Sequence, residues 1–371
     1  MIFYRGADIS TLDELEKKGV CFYDGGQKGD LFDILKRYGV NMIRLRIWND
    51  PYDEDGAPYG GGTNDFAATE RLARRAIEHG MEVLLDFHYS DFWADPGKQF
   101  PPKAWRDLSL EKLETEVYRY TYGVVSCLVK NGLRPAMVQV GNEITNGLLW
   151  DAGKLPVSED NEHFAPSENF GNTARLLQSG IKAVREADNS INIMLHLDFG
   201  GNNELYRNWF DQVIEHRLDF DTIGLSYYPF WHRTLDDLTF NMNDISARYS
   251  KDVLVVETAY GYTLEKPSGD KAALEDSVFK DYHPYPITPE GQRDFLIELA
   301  KRIQNVPNER GRGFVYWEPA WVPRSTWATK AGMRYILHEG EEGSGWGNQA
   351  LFDFAGNTLP AWEAFKKVES L

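Results

Sequence analysis

The sequence predicts a single (β/α)8 TIM barrel over residues 1–371, with long βα loops at its C-terminal face. Two observations carry this. Eight short β-rich runs alternate with helical patterns, which means a parallel sheet, and eight such units suggest a closed barrel. The joins into strands are tight, whereas the segments leaving strands are long. An open doubly wound sheet also uses this alternation, but no G-x-G-x-x-G or phosphate loop follows the first run.

The runs are FYRGADIS (3–10), VNMIRLRIW (40–48), MEVLLDFHYS (81–90), AMVQVGNE (136–143), INIMLHLDF (191–199), FDTIGLSYYP (220–229), DVLVVETA (252–259) and FVYWEPAW (314–321). Most are near-continuously apolar, as expected where a helix covers one face and a packed interior the other. Leu31, Ile34, Leu35 and Tyr38 form a helical stripe closed by Gly39. Leu72, Ala73, Ala76 and Ile77 form another before Gly80, and Leu113, Val117, Tyr120, Val124 and Leu128 a longer one before Gly132. Thr288-Pro289 reads as an N-cap followed by proline at the first helical position, and PAWEAFKKVES as a closing helix. The long segments 49–65, 91–105, 148–168, 261–286 and 320–350 follow strands. In a barrel they gather at the C-terminal face, where active sites lie.

Length alone suggests more than one domain, but α/β barrels routinely exceed that rule. A net charge of −17 argues against nucleic acid and anionic membranes, and a neutral substrate suits it. No apolar stretch approaches the ~20 residues that span a bilayer. Cys21 and Cys127 support neither a disulfide framework nor a metal site, and Cys127, within VVSCLV, is expected to be buried and inert. No leader precedes Phe3, so either an intracellular location or a removed leader is expected. Aromatic residues make up 13%, and Trp93, Trp105, Trp231, Trp321, Trp327 and Trp346 fall in Pro/Gly-rich connections. Aromatic loops on a rigid scaffold suit sugar rings, whose C–H faces stack on indole.

Polar residues end most of the runs: Asp8, Arg46, His88, Asn142 with Glu143, His196 with Asp198, and Glu257; Tyr227, Tyr228 and Trp317, followed by Glu318, end the others. Packing alone does not require this ring. It fits an oxocarbenium-generating site, which needs an acid, a nucleophile or base, and donors for sugar hydroxyls. Glu143 is expected to protonate the leaving oxygen from a raised pKa, with Asn142 on the 2-hydroxyl and a bulge turning both inward. Glu257, read in phase with Val253 and Val255, is expected as the ionised partner. Carboxyl groups about 5–5.5 Å apart mean retention of configuration, and about 6.5–9.5 Å inversion. His88 and His196 lack H-x-H or H-E-x-x-H spacing and read as hydrogen-bonded histidines. The acidic stretch with Asp270, Glu275, Asp276, Asp281 and His283 lacks D-x-D-x-D spacing and reads as a solvated loop. No G-x-S-x-G element points to serine-hydrolase chemistry.

These residues resemble the endo-β-1,4-galactanases of glycoside hydrolase family 53, in clan A. The strings that carry the resemblance are GADIS (6–10), RIWNDPY (46–52), GGGTND (60–65), LLDFHYSDFWADPGKQ (84–99), VQVGNEITNGLLW (138–150), GLSYYPFWH (224–232), VVET (255–258), YWEPAW (316–321) and NQALFDF (348–354). The resemblance implies a single barrel that cleaves internal β-1,4-galactosidic bonds of galactan with retention. It implies Glu143 as acid/base and Glu257 as nucleophile, with Arg46 (rather than Arg44), Asn142, Tyr228 (rather than Tyr227) and Trp317 around the cleaved bond. It also implies Asp8, His88, Trp93 and Trp231 as sugar contacts. No cofactor is expected, and calcium, held by some relatives after the seventh strand, is not expected in the loop 261–286. A monomer acting on a neutral polysaccharide is expected, extracellular or at the cell surface. A non-catalytic carbohydrate-binding barrel would not need both glutamates. A β-mannanase, xylanase or cellulase of the same clan would share the strand-end machinery and differ in loop aromatics.

Overall fold

The computed structural model describes residues 2–156, 170–266, 284–336 and 346–368. All eight runs form strands: β1 (Tyr4–Asp8), β2 (Met42–Ile47), β3 (Glu82–Phe87), β4 (Met137–Val140), β5 (Asn192–Leu197), β6 (Thr222–Ser226), β7 (Asp252–Thr258) and β8 (Gly311–Trp317). Each pairs in parallel with its sequence neighbours, and β8 pairs with β1 to close the barrel. Around it run α1 (Leu31–Arg37), α2 (Phe66–Glu78), α3 (Leu110–Lys130), α4 (Phe170–Ala187), α5 (Asn203–Glu215), α6 (Leu235–Tyr249), α7 (Pro289–Gln304) and α8 (Trp362–Val368). Gly39, Gly80 and Gly132 take positive φ of 84°, 78° and 74° past α1, α2 and α3, which is the left-handed exit read from the sequence. Thr288 caps α7 by accepting from Gly291 N. Two short hairpins, Phe22–Asp24 with Gln27–Gly29 and Gly147–Leu148 with Gly153–Lys154, carry no alternation that would reveal them in sequence.

The barrel interior is tiered. Met42, Leu84, Met137, Met194, Leu254, Val256 and Val315 form an apolar floor. Side chains alternate across a strand, so the next inward residue lies two positions on. Those positions hold Arg44 on β2, Asp86 on β3, Gln139 on β4 and His196 on β5, none more than 1% exposed. One tier higher come Arg46, His88 and Asp198. Residues of the opposite phase, such as Ile43, Leu45, Val83, Leu85 and Leu195, join the large core under the helices.

The phase expected for β7 is reversed. Val253 and Val255 pack outward with the helices, and Leu254 and Val256 point inward. Glu257 reaches the mouth through a bulge: Leu225 of β6 pairs with Val255, but Ser226 pairs with Glu257. The extra residue on β7 flips the side-chain phase at that point. Cys127 is half-buried rather than buried, and both cysteines are free. Among the described residues no helix is long and apolar enough to cross a membrane. Asp270, Glu275, Asp276, Asp281 and His283, and with them the expectation about calcium, lie outside the described residues.

Candidate active site

The C-terminal mouth of the barrel opens into a cavity of about 500 Å³. Glu143, Glu257, Arg46, His88, Trp93, Asn142, Tyr228, Trp231 and Trp317 all line it. Asp8, expected as a sugar contact, does not. It is fully buried and lies beneath the two arginines, where Ser10 Oγ (2.6 Å), Arg44 Nη1 (3.1 Å) and Arg46 Nη1 (3.4 Å) donate to it. In register with Arg44 and Trp317, it stands behind the cavity wall with its oxygens taken by these donors.

Arg44 is the hub of the lower tier. Its Nη1 donates to Glu257 Oε1 at 2.6 Å, and its Nη2 to Asp86 Oδ2 at 2.9 Å and Asn142 Oδ1 at 2.8 Å. Burial opposes the cation, but Asp86, Glu257 and Asp8 outweigh it and raise the Arg44 pKa. Arg46, preferred on sequence for the cleaved-bond position, lines the same cavity but is held by other partners. It pairs with Glu318 Oε1 at 2.6 Å, donates to Gly61 O at 2.8 Å and sits 4.2 Å from the centre of the Trp93 ring. Of the two arginines, Arg44 is the one on Glu257, because the inward row rises from Arg44 to Arg46 and Glu257 meets its lower step. Tyr228 Oη donates to Glu257 Oε2 at 3.1 Å, whereas Tyr227 is buried and donates to the Arg233 carbonyl.

Glu143 leaves β4 in a left-handed conformation (φ 46°, ψ 53°), which turns it into the mouth where a bulge was expected. Its Oε1 accepts from Ser226 Oγ at 2.7 Å. Ser226 pairs in register with Glu257, so a single residue of β6 links the two glutamates. Burial, then the charges of Glu257 and Asp198, push the Glu143 carboxyl well above its ordinary value. Burial also raises Glu257, but Arg44 pulls the other way. Both carboxyls are raised, and the Arg44 cation beside Glu257 makes it the better placed of the two to carry the charge and Glu143 the better placed to hold the proton. Asn142 commits its amide to the wall: Nδ2 donates to the Ala94 carbonyl at 2.9 Å, and Oδ1 accepts from Arg44.

His88 accepts at Nδ1 from Trp48 Nε1 and Ala94 N, leaving Nε2–H for Asp86 at 3.1 Å. His196, beneath the cavity, is likewise hydrogen-bonded by protein, with Nε2 2.8 Å from Ser226 Oγ. The walls are aromatic. Trp93, Trp317, Trp327 and Trp346 line the cavity with Phe199 and Trp231, the last 47% exposed. Trp105 and Trp321 do not line it: the first packs edge-on against Tyr120, and the second stacks behind Trp317 at 5.5 Å. Asp198 is the acid that strand-end reading named without choosing. It lines the cavity, accepts from Thr145 Oγ1, and is pushed up to about 7, chiefly by burial. Ser226 gave no sequence signal, since one small residue in an apolar run looks like packing.

A protonated carboxyl, an ionised carboxylate held by two donors, and sugar-stacking walls in one cavity make up the equipment for acid-assisted displacement at a sugar carbon. Comparisons with known proteins agree. The model of Glycosyl hydrolase family 53 matches residues 4–365. An endo-β-1,4-galactanase of Bacillus subtilis (strain 168) is 38% identical over 389 residues, covering 99% of this chain and 86% of that protein. The solved GH53 catalytic domain of Ignisphaera aggregans superposes with a TM-score of 0.88 at 38% identity, covering 99% of this chain and 96% of that one. A structure from a study of two fungal β-1,4-galactanases gives 0.80 at 30% identity, covering 99% and 100%. Matched along nearly its whole length in sequence and in fold, the chain belongs to glycosyl hydrolase family 53.

Proposed function

We propose that the chain is an endo-acting, retaining β-1,4-galactanase that cleaves internal linkages of galactan or type I arabinogalactan by double displacement. The observation that carries this is the pairing of Glu143 and Glu257 through Ser226 in one aromatic cavity. The name and the 38% identity of the Bacillus subtilis relative support the linkage. Glu257, oriented by Arg44 and Tyr228, attacks the anomeric carbon. Glu143 gives its proton to the departing glycosidic oxygen, so the C–O bond breaks as the glycosyl–Glu257 bond forms. Water then displaces Glu257 and returns its proton to Glu143. Trp93, Trp317 and Trp231 stack on sugar rings, with the buried His88 and Arg46 in the cavity wall beside them. The scheme draws only on side chains of this chain.

The test is incubation with linear β-1,4-galactan, mannan, xylan and cellulose side by side, with the anomer of the first product followed by NMR. Short β-configured galacto-oligosaccharides from galactan alone are expected. Glu257→Ala and Glu143→Ala are each expected to cut turnover by roughly 10²- to 10⁴-fold without unfolding the protein. Full activity in either variant removes that residue from its role, and α-configured first products rule out retention.

A further inference from the structure

The support behind Glu143 contains a directional hydrogen-bond chain that the double-displacement scheme leaves unused. Glu143's own backbone N–H points at His196 Nδ1 at 3.3 Å, and Gln139 Nε2 lies 3.0 Å from the same nitrogen. Asn142 Oδ1 also lies 3.2 Å from this nitrogen but already accepts from Arg44, whereas a backbone N–H cannot reverse, so Nδ1 is assigned as an acceptor and the ring proton to Nε2. Nε2–H then donates to Ser226 Oγ at 2.8 Å. With that lone pair filled, the single hydroxyl proton of Ser226 is directed to Glu143 Oε1 at 2.7 Å.

We propose that Ser226, oriented by His196, is a positioning residue that decides which oxygen of Glu143 carries the acid proton. Oε1 receives the serine hydroxyl, so the transferable proton sits on Oε2. The same arrangement serves the second step, because Oε1 stays occupied and Oε2 is the oxygen left to take the proton from water. Ser226 and His196 are both fully buried, so water does not substitute for either. Glu143 is also faced by Glu257 from β7, Asp198 from the end of β5 and Asp95 from the loop after β3; His196 is faced by Arg44, His88 and His232. These neighbours act through charge. Burial and the Arg44 cation hold His196 far below its ordinary value, so the ring stays neutral and the chain keeps its direction across the working pH range.

This inference rests on the reading of Glu143 as the acid, and the experiment separates the two. Two substrates are compared by kcat/KM: galactan, whose leaving group must be protonated, and a dinitrophenyl β-galactobioside, whose leaving group need not be. Glu143→Ala is the control, expected to lose galactan cleavage and to keep the aryl substrate. Ser226→Ala is expected to lower kcat/KM on galactan roughly 10- to 100-fold while the aryl value stays within about two-fold. Its alkaline limb on galactan moves to higher pH, because the hydrogen bond lost had favoured the carboxylate. Ser226→Cys, nearly isosteric but a weak donor, should show the same split and serves if the alanine variant does not fold. Equal losses on both substrates, or none on either, overturn the positioning role. A Glu143→Ala variant that fails to split the substrates overturns the acid assignment, and the positioning role with it.

Discussion

Arg44 and Arg46 are two residues apart on β2 and point to the same side, and the alternation that brings both inward cannot rank them. What ranks them is height in the barrel, set by the register of β2 against β1 and β3, and height has no signature in a single sequence. The consequence is a division of labour that mutation can expose. Arg44 holds Asp8, Asp86 and Glu257, each nearly or fully buried. Arg44→Leu strands Asp86 and Glu257 without an arginine and leaves Asp8 only Arg46 at 3.4 Å, and it should cost about 3–5 kcal/mol of stability, measured by urea denaturation. Arg44→Lys keeps the charge but loses the planar fork that serves several acceptors at once, so kcat should fall roughly 10²-fold. Arg46 meets the aromatic wall instead. Arg46→Lys should leave kcat nearly intact and raise KM about two- to five-fold, the scale of one weakened cation–π contact. If Arg46→Lys proves the more damaging to kcat, the two roles are reversed.

At the level of elements, the strands were legible because buried parallel strands read as apolar runs, and the helices because their stripes end in glycine. Two strand ends were legible in composition but not in geometry. Glu257 arrives by a bulge and Glu143 by a left-handed turn, and each breaks the local period that sequence reading relies on. The βα loop after β2 shows the same principle in a form open to test. Gly61 has φ +60°, and a Cβ there would lie 2.8 Å from Trp93 Cζ2 and 2.9 Å from its Nε1. Arg46 donates to the Gly61 carbonyl and packs on the Trp93 ring, whose Nε1 donates to the Trp327 carbonyl at 3.0 Å. The loop thus presses the indole into one pose. Gly61→Ala should cost about 1–3 kcal/mol from the left-handed backbone. It should also raise KM for galactan more than it changes kcat, because the ring and not the carboxylates is displaced. Unchanged KM with lowered stability would mean that Trp93 does not carry sugar.

Across the whole molecule, the same burial that raises Glu143 gives activity and stability different pH dependences. On the proposed mechanism activity needs Glu257 ionised and Glu143 protonated, so it should rise and then fall with pH. Stability follows Asp198 in one direction. Its carboxyl is held at about 7 in the fold, against an ordinary value of 3.8, with burial as the main cause and Thr145 as its hydrogen-bond donor. Between those two values the folded chain binds a proton that the unfolded chain has lost. The stability contributed by that proton is complete below pH 4 and disappears as pH rises through 7. Asp198→Asn keeps the shape and an oxygen for Thr145 but has no proton to lose. Its stability relative to the parent should therefore improve as pH rises through this window, by at most about 4 kcal/mol. Urea denaturation of both proteins on either side of the window measures it. Parallel stability curves would mean that Asp198 is already ionised in the fold, with its charge met by water at the cavity mouth, and the mouth would then be wetter than its aromatic lining implies.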